Sequence, residues 1–119
     1  MPTADLVGTL EADLLARDLA LAEIVGRLVE AYQPDRVYLF GSVARGDDGP
    51  DSDYDLLIVL PDDAPPERTQ SRLAYEVLWG TNKAADVIVW TTTRFERRAR
   101  VVCSLPATVL REGKLLYAA

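Results

Sequence analysis

The connection between two apolar, β-type runs sets the tightest limit on this fold. DRVYLF (Asp35–Phe40) and DYDLLIVL (Asp53–Leu60) are rich in β-formers and read as strands. Only residues 41–52 join them, and GDDGPDS (Gly46–Ser52) is loop by composition. The remainder allows one short helical turn over Val43–Arg45, with Ser42 placed to cap it. A parallel crossover usually takes a dozen or more residues and a helix. An antiparallel or mixed sheet with helices on one side is therefore expected, rather than a doubly wound parallel one.

The flanking segments fill in the layers. Leu10, Leu14, Leu21, Val25, Leu28 and Tyr32 recur at helical steps and predict a helix from Thr3 to about Tyr32. Gly8 and Gly26 weaken it by about 1 kcal/mol each, and Pro34 ends it near Gln33. PDDAPPER starts a second helix with Pro65 or Pro66 at its first position, running to about Trp79. After the turn-like GTNK comes a third strand, Ala85–Thr91. Thr93 and Glu96 form a capping box for a helix from Arg94 to about Val102. A last helix, Leu105–Glu112, stops at Gly113, and Lys114–Tyr117 adds an edge strand. The expectation is a single α/β (α+β) domain over 1–119, with an N-terminal helix (1–32) and a core (35–117). Its sheet is small, mixed and mostly antiparallel, flanked by helices.

Composition removes whole classes of chemistry. The chain has no His, so imidazole bases and His-bearing zinc sites are excluded within it. The 13 basic and 19 acidic residues leave a net charge of −6, which argues against holding long nucleic acid by its phosphates. Cys103 cannot make an internal disulfide, and its apolar setting, VVCSL, predicts a buried thiol. No apolar run approaches the ~20 residues of a membrane span. The segment MPTADLVGTLEADLL carries acids where a secretory signal places Lys or Arg, so a cytoplasmic setting is expected.

The chemistry concentrates in FGSVARGDDGPDSDYDLLIV (Phe40–Val59). Asp53 and Asp55 stand at i and i+2 at a strand entrance, so their carboxylates share one face. Two such charges ~4 Å apart repel by about 4 kcal/mol at an effective dielectric near 20, and a shared hard cation relieves that. Asp86 enters the third strand in the same way, directly before VIVW. Taken singly, each acid reads more simply as loop or surface chemistry. Gly41-Ser42, ten residues (43–52) before the D-x-D, alters the balance. A glycine there admits close approach of a ligand to backbone, and a helix start offers free N–H groups to phosphate. Arg45 is one turn further on and suits the same phosphates. Lys83 reads first as a solvated turn lysine and second as another phosphate contact.

These residues resemble the signature of the DNA polymerase β-like nucleotidyltransferase superfamily, G-[GS] followed at about ten residues by D-x-D. GSVARG and SDYDLLIV are similar to its minimal nucleotidyltransferase (MNT) members, ADVIVW to the strand with the third acid, and SLPATVLREGKLLY to the C-terminal helix and strand. The resemblance spans roughly Asp35 to Tyr117 and implies the polymerase β-like fold. It implies that Gly41 and Ser42 bind the triphosphate, that Asp53 and Asp55 hold Mg²⁺, and that Asp86 joins the acceptor-side metal. The reaction implied is NMP transfer, with AMP from ATP expected and pyrophosphate leaving.

Stand-alone members resemble the antitoxin half of pairs whose other half is a HEPN-domain toxin. The resemblance then implies AMP transfer to a tyrosine of that partner, and the acidic balance suits a protein acceptor. A non-catalytic antitoxin that occludes its partner, and an adenylyltransferase of aminoglycoside-like small molecules, are the alternatives. The arginines Arg94, Arg97, Arg98 and Arg100 and the N-terminal helix are the regions available for docking, and self-association is left open.

Overall fold

The computed structural model describes residues 11–47, 49, 53–81 and 83–119. The predicted helical stretch before residue 11, parts of the loop Gly46–Ser52 and of the GTNK turn lie outside the described residues.

The first helix is broken where the apolar stripe runs straight through. Helices α1 (Ala12–Arg17) and α2 (Leu19–Tyr32) meet at Asp18, whose backbone is extended. Asp18 Oδ1 accepts the Leu21 N–H at 3.1 Å, an N-cap for α2, and its Oδ2 accepts the Tyr54 hydroxyl at 2.7 Å. An aspartate with two donors of its own favours a cap over a helix interior. Helix α2 buries Leu21, Ile24, Val25, Leu28 and Tyr32. It ends before Pro34 as expected, with Gln33 in the left-handed region (φ 51) and its N–H on Val29 O.

Strand β1 (Arg36–Phe40) leads into the short helix α3 (Gly41–Arg45) and then strand β2 (Tyr54–Leu60). Helix α3 starts two residues earlier than the Ser42 cap implies; its N-cap is Phe40 and no side chain caps it. The expected helix to Trp79 is a 3-10 turn, Pro66–Thr69, and a separate helix α4, Arg72–Val77. At this break the Gln70 carbonyl accepts the Tyr32 hydroxyl at 2.6 Å as well as the Leu73 N–H at 3.3 Å, an i+3 bond in place of the α-helical i+4 one. Strand β3 (Ala85–Thr91) follows, then α5 (Thr92–Ala99), α6 (Leu105–Glu112) and β4 (Lys114–Ala118).

The capping box at Thr93 does not form. Thr93 gives both its hydroxyl and its N–H to Asp62, holding that carboxyl below its usual range, while Glu96 faces Arg36 at 3.8 Å. Helix α5 accordingly starts at Thr92 and ends at Ala99, short of Val102. Cys103 falls in the turn after it and is exposed, correcting the expectation of a buried thiol.

The sheet order is β3-β2-β1-β4. β1 pairs antiparallel with both β2 and β4, and β2 pairs parallel with β3. Apolar side chains leave both faces. Val37, Leu39, Leu56, Ile58 and Leu60 pack against α2 and α4, while Tyr38, Leu57 and Val59 pack against Phe95 of α5 and Val109 of α6. Helices on one side alone would strand the second set in water. The unbroken run LLIVL in β2 is the sequence's own sign of a strand covered on both faces. Among the described residues no helix is long and apolar enough to cross a membrane.

Candidate active site

Two strand registers meet at Asp55. Across the antiparallel pair it stands opposite Phe40, and across the parallel pair it stands beside Asp86. Adjacent strands lie ~4.8 Å apart, so Asp55 and Asp86 are lateral neighbours on one face of the sheet. Asp53, just before β2, shares the parity of Asp55. Asp53 and Asp86 are exposed and Asp55 is half-buried.

Gly41 follows Phe40 directly, which puts it against Asp55. Its φ is +76, and a Cβ there would collide with Asp55 Oδ2. Both facts require glycine: the left-handed backbone disfavours any L side chain, and the carboxylate fills the space one would need. The first amides of α3, at Gly41 and Ser42, thus begin beside the central acid. At the other end of α3 the N–H of Gly46 (φ 80) returns to Ser42 O and Val43 O. Arg45 lies in this last turn with Nε 3.0 Å from Asp47 Oδ2, on the exposed side of the loop.

Burial pushes the Asp55 carboxyl above its ordinary value, the charge of Asp86 and then that of Asp53 push it further, and Arg45 pulls it back. The three acids are therefore close enough to feel one another. Yet among the described residues no three acids are drawn tightly enough to enclose an ion by themselves.

A residue the motif reading passed over holds the arrangement. Tyr54, between the two aspartates, points to the opposite face and is buried. Its hydroxyl donates to Asp18, and Lys83 Nζ lies 5.6 Å from its ring centroid. Lys83 is thus half-buried against an aromatic face instead of a freely solvated turn lysine. The signal for Tyr54 was the D-Y-D alternation itself, since the residue between two outward acids must face inward.

The nucleotidyltransferase domain family model matches residues 21–116, from the first turn of α2 to the middle of β4. The chain belongs to this family. Solved structures share the fold of this nucleotidyltransferase domain. A provisionally assigned nucleotidyltransferase from Sulfolobus solfataricus is 22% identical, with a TM-score of 0.55 over 83% of this chain and 78% of its own. A toxin–antitoxin solved with AMP-PNP is 21% identical, with a TM-score of 0.55 over 82% and 73%. Another provisionally assigned nucleotidyltransferase is 22% identical, with a TM-score of 0.51 over 82% and 97%. No protein of curated function matches the chain.

Proposed function

We propose that this nucleotidyltransferase transfers AMP from ATP to a hydroxyl of a partner protein, with divalent metal held by Asp53, Asp55 and Asp86. One observation carries the reading: Asp55 stands between Gly41 at the start of α3 and Asp86 of β3, so a phosphate cradle and an acid pair adjoin. The donor set is all carboxylate, which suits a hard cation such as Mg²⁺. These acids do not enclose an ion alone, in keeping with Mg²⁺ chemistry, where one or two carboxylates and substrate phosphate oxygens share the shell. When bound, such metal neutralises charge on the transferring group and acidifies the acceptor hydroxyl.

The chain's own residues supply placement. The Gly41 and Ser42 amides hold the phosphates that will leave, and Arg45, freed from Asp47, adds a charge-assisted contact. Asp86 faces the acceptor. The acceptor oxygen bonds to the α-phosphorus as the bond to the bridging oxygen breaks; pyrophosphate departs with that electron pair, and the hydroxyl proton is lost to solvent.

The fold shared with a toxin–antitoxin solved with AMP-PNP supports reading the partner as a toxin, and a HEPN-domain toxin with an acceptor tyrosine is our specific proposal. The test is incubation with α-labelled ATP and Mg²⁺, with and without the product of the neighbouring gene. Label should pass to that product and vanish with Asp55→Asn, while Asp55→Asn melts no lower than wild type because a repelled carboxylate is gone. If Asp55→Asn still neutralises the partner without labelling it, occlusion is the function and the proposal fails. Label on a small aminoglycoside in the partner's absence would overturn the acceptor.

A further inference from the structure

A cleft of about 690 Å³ lies between α4 and the entrance of β3, with Tyr75, Leu78, Trp79, Thr81, Lys83 and Asp86 in its wall. Trp79 is 85% exposed and Tyr75 62% exposed, although aromatic rings of this size are usually well covered. The backbone behind them is not slack. Arg27 Nη1 donates to Val77 O at 3.2 Å and Trp79 O at 3.3 Å, and the Thr81 hydroxyl donates to Leu78 O at 2.8 Å. The indole is thus held outward by a pinned turn.

We infer that this cleft is the acceptor subsite, and that its occupant is an extended polypeptide segment carrying the hydroxyl. The inference rests on the AMP-transfer reading above. In the strand order, Gly41 and Ser42 follow β1, Asp55 is on β2 and Asp86 is on β3, and Asp86 also borders the cleft at the β3 entrance. In-line displacement places attacking and leaving oxygens on opposite sides of the phosphorus. With pyrophosphate held over α3, the acceptor has to arrive past Asp86, and Asp86 is the acid that borders the cleft.

The chemistry of the cleft selects the occupant. Lys83 is its one cation and Asp86 its one anion among the described residues, in a chain of net charge −6, which is a poor setting for a polyphosphate backbone. Flat aromatic walls favour side chains with planar or apolar faces. β3 is an outer strand, and its outward edge makes no backbone hydrogen bond to any described residue. An extended peptide satisfies such an edge by adding a strand, and its alternate side chains then reach the rings and Asp86.

The test uses α-labelled ATP and Mg²⁺ with three probes: a degenerate peptide pool with central Tyr, Ser or Thr, poly-uridine RNA, and kanamycin. Mg–ATP affinity is measured separately by calorimetry. Trp79→Ala and Tyr75→Ala, both exposed and harmless to folding, should raise the peptide KM at least about tenfold. Their Mg–ATP affinity should stay at the wild-type value, and Trp79→Phe should recover most of the lost KM. An unchanged peptide KM, label on RNA or kanamycin instead of peptide, or no label with Mg–ATP binding intact would each overturn the inference alone. Failure to bind Mg–ATP would instead remove the reading beneath it.

Discussion

At the scale of single residues, the geometry turns on Gly41. Its positive φ and its contact with Asp55 are two separate reasons why no other residue fits. Gly41→Ala forces either the carboxylate or the α3 backbone to move, at roughly 1–3 kcal/mol for a non-glycine held in that region. We expect its melting temperature to fall and labelling to drop by more than tenfold, measured side by side with wild type. Asp55 is strained in the opposite sense. Its carboxyl is raised by burial and by Asp86 and Asp53, so its ionised form opposes folding, and that cost grows as pH rises through the folded value. Under the proposed metal-binding role, function and stability conflict at this one side chain.

At the scale of elements, Asp18 links two segments that the sequence separates. It caps α2 with one oxygen and anchors Tyr54 of β2 with the other. Asp18→Ala should lower stability by about 1–2 kcal/mol by denaturant titration, the range of a lost cap with a lost hydrogen bond. Tyr54→Phe should cost about 1 kcal/mol and loosen the strand entrance that carries Asp53 and Asp55. Neither link was legible in the sequence, because an apolar stripe at helical spacing reads through Asp18 and only tertiary structure supplies Tyr54 as a donor. The same cause lies behind the other differences. Thr93 met Asp62 in place of Glu96, and Gln70 O took the Tyr32 hydroxyl beside an i+3 N–H where the helix was expected to run through. What the sequence did reveal was local: four strands within one residue of their bounds, the last helix, and the closeness of Gly41 to the D-x-D. The placement of helices on both faces was foreshadowed by LLIVL and outweighed by the short β1–β2 connection.

At the scale of the whole molecule, the larger core carries a titration signature. Tyr32 is fully buried, and that burial raises its hydroxyl from 10.0 to about 12. The folded value exceeds the unfolded one, so the stabilisation is complete below pH ~10 and is lost as pH rises from there through ~12. That rise corresponds to roughly 2–3 kcal/mol. Tyr32→Phe should therefore flatten the alkaline limb of the stability curve between those values, read by denaturant midpoints at stepped pH. The sheet has a further consequence, in the order of synthesis. β1 is interior only because β4 closes its second edge, with Arg36 opposite Ala118. A nascent chain that has emerged through residue 113 already contains Gly41, Ser42 and all three acids, yet still presents one backbone edge of RVYLF unpaired. The residues of the proposed site thus leave the ribosome before the fold can protect itself from aggregation, and any chaperone or co-translated partner has that interval in which to act.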